Sequence, residues 1–162
     1  AKNDKIKYLQ MSMSELDKLS MKFDIVYSSL AFHYVPDFQK FANDIYNLLN
    51  TGGYLLFSQE HPIVTATFDG KQHYNKDENG NYTSFTFSNY NQPGERDTFW
   101  YVDGVKKYHR TFSNIISALC RVGFVIDTVC EPSPIENATD FIPNILEKEL
   151  IKPTFLIVKA SK

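Results

Sequence analysis

Residues 23–35, FDIVYSSLAFHYV, and residues 48–62, LLNTGGYLLFSQEHP, decide the fold. Each is an apolar run that ends in small and polar residues. Between them Phe38, Phe41, Ile45, Leu48 and Leu49 recur at about 3.6 residues per turn, which predicts an amphipathic helix over residues 37–50 with Gly52 as its stop. Strand, helix and strand make a βαβ unit, a parallel pair with a right-handed crossover. Residues 23–27 are apolar on both faces apart from Asp24, the pattern of a strand that helices cover on both sides. In such a sheet ligands bind in the crevice beyond the carboxyl ends of the strands.

Working outward, residues 5–11 (KIKYLQM) read as a short strand, and Ser12 or Ser14 can cap a helical turn over residues 15–19 by accepting backbone N–H bonds. Composition changes over residues 65–108, where Asp69-Gly70, Asn79-Gly80 and Asp103-Gly104 punctuate the aromatic runs YTSFTF and TFWYV. Asp-Gly or Asn-Gly between alternating residues is a hairpin signal, so residues 64–110 are expected to form an inserted antiparallel subdomain. Its many rings serve either as a lid over an apolar or planar substrate or as a small satellite core. A helix over residues 113–121, capped by Ser113, follows, with Ile115, Leu119 and Val122 on one face. Strands over residues 124–129 and 154–159 close the chain, and a short helix over residues 144–150 stands between them. The expected class is therefore α/β: a Rossmann-like, mostly parallel sheet with an antiparallel C-terminal strand and an inserted antiparallel, aromatic-rich hairpin region.

The 162 residues, 43% of them hydrophobic, suffice for one domain with its own core. A net charge of -2 gives no global field for nucleic acid or an anionic membrane, and the basic run Lys106, Lys107, His109 and Arg110 is too short to change that. No apolar run approaches the roughly 20 residues that span a bilayer, and nothing at the start resembles a signal peptide. Cys120 and Cys130 fit neither a redox pair nor a zinc half-site, so reduced, buried thiols and a cytoplasmic location are expected. No His and Asp/Glu set has metal-ligand spacing, and neither Tyr-x-x-x-Lys nor G-x-S-x-G occurs.

With these segments in place, the chain resembles the C-terminal part of a class I S-adenosylmethionine-dependent methyltransferase of the methyltransferase type 11 group. FDIVYSSLAFHYV is similar to the family's fourth strand and following loop, and LLNTGGYLLFSQEHP to its L-x-P-G-G helix end and fifth strand, with Thr51 where proline is usual. KKYHRTFSNIISALCRVGF, the EPSP of residues 131–134 and KPTFLIVKASK resemble the tail of a subgroup whose sheet ends in an antiparallel hairpin. The family's glycine-rich loop and the acidic residue that holds the ribose have no counterpart, so residues 1–162 are expected to be a partial methyltransferase domain with an incomplete S-adenosylmethionine site.

The resemblance implies cofactor contacts at Ser12 and Met13, beside the adenine, and at Tyr27, Ser28, Ser29 and Leu30, beside the methionine portion. Helix capping is the competing reading for Ser12. His33, His61 and His109 are the candidate general bases for an acceptor that carries a proton. His61, Tyr108 and Arg110 are candidate substrate contacts, Arg110 through bidentate bonds to carboxylate or phosphate, against a plain hairpin strand running into a helix start. A small-molecule methyl acceptor is implied. The competing function is a truncated, non-catalytic Rossmann-like domain that binds no cofactor. The fourth strand's open edge would then be repaired by residues 5–11 or by a second copy in a homodimer.

Overall fold

The computed structural model describes residues 5–162, apart from the side chain of Trp100. Its centre is the expected βαβ unit: strand β1 (Phe23–Ser29), helix α1 (Phe38–Leu48) and strand β2 (Leu49–Glu60). β1 and β2 are parallel neighbours, with Ile25 opposite Tyr54, Tyr27 opposite Leu56 and Ser29 opposite Ser58. Asp37 caps α1 by accepting the Lys40 N–H at 2.9 Å. Gly52 is not the helix stop. α1 ends at Leu48, and Gly52 lies inside β2 at a φ of 79°. Lys162 Nζ covers the freed helix carbonyls instead, donating to Tyr46 O and Leu49 O at 2.7 and 2.9 Å.

Beyond β2 come the single turn α2 (Pro62–Thr65), the hairpin β3 (His73–Lys76) and β4 (Tyr82–Thr86), and the hairpin β5 (Gly94–Trp100) and β6 (Val102–His109). Asn79-Gly80 turns the first hairpin, as its residues predict. In the second the chain reverses at Tyr101, which holds a φ of 60°, while Gly104 lies within β6. Then follow α3 (Phe112–Arg121), β7 (Val125–Cys130), α4 (Ile145–Ile151) and β8 (Phe155–Ser161). The cap of α3 is Thr111 rather than Ser113, accepting from the Asn114 N–H at 3.1 Å.

The main sheet has the order β1-β2-β8-β7. β8 lies between two strands that run the same way and makes an antiparallel ladder with each, so one pairing is parallel and two are antiparallel. The expectation of a mostly parallel sheet is corrected accordingly: a single reversed strand in a central position converts two of the three ladders.

Alternation divides the sheet into two faces. Leu55, Phe57, Leu156 and Val158 are 0% exposed and pack with Phe41 and Ile45 of α1 and Ile115 and Leu119 of α3. On the opposite face Ile25, Tyr27 and Val125 are 50%, 68% and 66% exposed, so helices cover the sheet on one side only among the described residues. Residues 5–11 form no strand, and among the described residues β1 stands at the edge of the sheet. Their alternation is too short to hold a ladder without a partner face. The two cysteines are free but exposed, not buried, because Cys120 sits on the outer face of α3 and Cys130 at the end of edge strand β7.

Candidate functional site

The carboxyl ends of β1 and β2 lie side by side. At the end of β1, Leu30 turns the chain at a φ of 51°, and its N–H donates to Ser58 O at 2.9 Å and reaches Ser58 Oγ at 3.2 Å. A leucine in the left-handed region costs conformational energy, and this bifurcated bond to β2 holds it there. Tyr27 and Ser29 are exposed, Ser28 is half-buried, and neither serine hydroxyl bonds to another side chain or carbonyl of the described residues. At the end of β2, the buried Gln59 Oε1 has no partner. Hydroxyls and an amide oxygen left over at adjacent strand tips are groups that a ligand or water must satisfy.

Around these tips the predicted residues are placed unequally. Ser12 is the cap of a 3-10 turn over Met13–Lys18: its Oγ accepts the Ser14 N–H at 3.2 Å, and its own N–H donates to Glu15 Oε2 at 3.1 Å. Met13 packs against the core.

The three histidines are buried, and burial lowers the pKa of each. For His33 the fall is to about 4, desolvation outweighing the nearby Glu60 charge. His33 Nδ1 accepts the Glu60 N–H at 3.3 Å, so its proton sits on Nε2. His61 Nδ1 accepts the Ile63 N–H at 3.2 Å and caps α2, while Nε2–H donates to Glu131 Oε1 at 2.9 Å. His109 Nε2–H donates to Tyr90 O at 2.8 Å, and Nδ1 faces the Thr65 hydroxyl at 2.8 Å. In His33 and His61 the basic lone pair accepts a backbone N–H, whereas His109 Nδ1 faces a hydroxyl that donates to Pro62 O at 3.3 Å. In this arrangement the imidazoles brace the strand tips and the first turn beyond them.

Arg110 is likewise committed. Its guanidinium donates to the carbonyls of Val35, Pro36 and Tyr108, the last two at 2.9 and 3.1 Å, and lies 5.2 Å from the Phe38 ring centre. Burial lowers its pKa to about 10. These bonds clamp the loop after β1 to the end of β6. Tyr108 directs its hydroxyl to Glu95 at 3.5 Å, away from the strand tips.

Sequence reasoning missed the ion pair of Lys107 with Glu60, at 2.6 Å and with side chains only 11% and 21% exposed. It ties the second hairpin to the mouth of β2. Nothing in the spacing of residues 60 and 107 signals it. It also missed a cavity of about 600 Å³ between the first hairpin and α4, lined by Tyr74, Lys76, Tyr82, Lys148, Glu149 and Thr154.

Two parallel strands with polar tips, joined by a helix and closed by a reversed strand, define a Rossmann-like α/β class that opens a ligand crevice at those tips. Comparison with known proteins narrows the class. The family profile described as a methyltransferase domain matches residues 1–57. A solved S-adenosylmethionine-dependent methyltransferase of Mesorhizobium loti is 37% identical, with a TM-score of 0.77 over 91% of this chain and 67% of that one. A Listeria monocytogenes structure provisionally described in the same terms is 28% identical, with a TM-score of 0.83 over 100% of this chain and 71% of that one. An uncharacterised protein of Haemophilus influenzae is 34% identical over 110 residues, so the chain spans 43% of that curated relative. The chain belongs to the class I S-adenosylmethionine-dependent methyltransferases.

Proposed function

We propose that this chain supplies the acceptor-facing part of an S-adenosylmethionine-dependent methyltransferase acting on a small molecule, with Tyr27, Ser28, Ser29 and Leu30 against the cofactor's methionine portion. The observation that carries the reading is the adjacency of the β1 and β2 tips, where the Leu30 turn is pinned to Ser58 and the serine hydroxyls and Gln59 Oε1 remain to be bonded. These groups suit an amino-acid end, which offers both donors and acceptors. Ser12 and Met13 stand for the adenine side. No glycine-rich turn or ribose-holding acid accompanies them in the sequence, so the residues present fit one wall of the site.

S-adenosylmethionine, when bound, supplies an electrophilic methyl group on a sulfonium. The chain's own part is positional. Holding an acceptor in line with that methyl removes much of the entropic barrier. His33, His61 and His109 keep the tips rigid, and Tyr27 offers an exposed ring face to positive charge. The experiment is an amide-resolved NMR titration with S-adenosylhomocysteine. Shifts centred on residues 27–30 are expected; saturable shifts confined to other regions, or none at millimolar ligand, would overturn the placement.

A second reading rests on the open edge of β1 and the exposure of Ile25 and Tyr27 beside it. We infer that a second copy of the chain pairs there, since an unpaired edge is a template for another strand. Light scattering across a range of concentrations tests it, and a concentration-independent monomer counts against it.

A further inference from the structure

Around the end of β2, His33 Nε2, the Tyr34 hydroxyl and Glu60 Oε2 have no hydrogen-bond partner among the described residues. The unpartnered atoms sealed from solvent are Gln59 Oε1 and Thr67 Oγ1, so these three stay within reach of a ligand. They belong to adjoining pieces of chain. His33 and Tyr34 lie in the turn after β1, over Phe32–Tyr34, with ring centres 4.2 Å apart, and the Glu60 N–H donates to His33 Nδ1 at 3.3 Å. The Glu60 charge acts on both rings. His33 is 4% exposed, so an N–H left without a partner there is costly unless something enters to accept it.

Each of these atoms is fixed in polarity. The bond from the Glu60 N–H occupies Nδ1 and puts the His33 proton on Nε2, and burial lowers that ring's pKa to about 4, so at neutral pH Nε2–H is a donor without charge. Burial and then the Glu60 charge raise the Tyr34 pKa, which keeps its hydroxyl proton in place to be donated. Lys107 holds Glu60 Oε1 at 2.6 Å and leaves Oε2 to accept. Lys107 also offsets the Glu60 charge, while the neighbouring Arg110 donates to backbone carbonyls. Two donors and one acceptor are the complement of a hydroxyl group, which carries two lone pairs and one proton. A carboxylate has no proton to give Glu60, and an ammonium has no lone pair for His33 or Tyr34.

We propose that His33 Nε2–H, the Tyr34 hydroxyl and Glu60 Oε2 together anchor a hydroxyl group of the methyl acceptor, an alcohol or a phenol. Because two donors take its lone pairs, this hydroxyl is the handle by which the acceptor is held and not the atom that attacks the methyl group. That the molecule is the acceptor rests on the reading in the preceding section; that the cluster takes a hydroxyl does not.

The test follows the histidine ring nitrogens of the full chain by long-range proton–nitrogen NMR while benzyl alcohol, benzyl methyl ether, benzoate and protonated benzylamine are added in separate titrations. Benzyl alcohol is expected to move the His33 Nε2 resonance and to bind about fivefold or more tightly than the ether, which has no proton for Glu60, and than either ion. Glu60→Gln is expected to bring the alcohol down to the level of the ether. Because that change leaves Lys107 without its counter-charge and can unfold the chain, Tyr34→Phe is the second variant. It deletes a hydroxyl that bonds to nothing in the fold, and it is expected to weaken the alcohol about threefold with the circular dichroism unchanged. Equal binding of alcohol and ether, tighter binding of either ion, a His33 Nε2 resonance unmoved at saturation, or no saturation by about 100 mM alcohol overturns the proposal. A separate S-adenosylhomocysteine titration keeps the two readings apart. Alcohol binding without it retains the anchor and removes the acceptor role, and the converse removes the anchor alone.

Discussion

The two faces of the central sheet are made by the same strands and meet opposite surroundings. Beneath α1 and α3, Leu55, Phe57, Leu156 and Val158 are 0% exposed; across the sheet, Ile25, Tyr27 and Val125 are half exposed or more. The residues are of similar hydrophobicity, so the contrast comes from what lies over them. Alternation in a strand tells which side chains share a face, and it does not tell whether that face is covered.

The comparison is sharpest in the cost of deleting a side chain. Phe57 stacks on Phe32 at 4.4 Å and lies tilted against Phe38 at 6.5 Å, so Phe57→Ala is expected to cost about 3–5 kcal/mol in a urea titration. Tyr27→Ala, on the other face, should stay within about 0.5 kcal/mol. Similar costs for the two would erase the distinction.

Acid offers the next largest contrast. His33 is neutral in the fold, with its pKa lowered from 6.5 to about 4 by burial, whereas the unfolded chain takes up a proton near 6.5. The unfolded state therefore binds more protons in this window. Stability present above pH 6.5 is expected to fall as pH drops toward 4, by a few kcal/mol from His33, with His61 and His109 adding in the same direction. On the open side Asp127 is held below 3.8, first by Ser161 and then by Lys159, so it titrates below this window. Asp127→Asn should leave the slope between pH 6.5 and 4 unchanged in thermal melts, while His33→Gln should flatten it.

A smaller effect is expected at Gly53, which lies on the covered side of β2. A Cβ there would stand 2.9 Å from Asp24 O and 3.0 Å from Asn50 O, both backbone atoms that cannot swing away. Gly53→Ala is expected to cost about 1–3 kcal/mol by forcing β1 and β2 apart. An unchanged urea midpoint would mean that the β1–β2 register is looser than the packing indicates.

The βαβ unit was legible because its signals are local: the apolar runs, the helical period from Phe38 to Leu48, and the small residues that end each strand. The residues past Tyr27 read as a loop, whereas β1 runs on to Ser29 and the chain turns only at Leu30. What escaped depends on contacts between distant residues. The reversal at Tyr101 displaced the Asp103-Gly104 signal, and residues 5–11 carried a strand-like pattern that forms no strand. The histidines read as candidate bases because residue type shows that a ring can titrate, but not that Ile63 N–H or Tyr90 O already occupies it.

The smallest effect tests the open face itself. Ile25 is 50% exposed on edge strand β1, so Ile25→Lys removes little buried surface, and its long stem can lie along the sheet with the ammonium in water. In dilute protein the change is expected to stay within about 0.5 kcal/mol of the parent. A second copy paired along β1 would make the outcome depend on concentration. The parent would then melt higher as protein is added, by mass action, and the variant would not, because a lysine on each edge repels its twin. Melts at two concentrations a hundredfold apart separate the cases. A cost well above 1 kcal/mol at the lower concentration would show that something already covers Ile25 within one chain, and the contrast between the faces would be smaller than their exposures suggest.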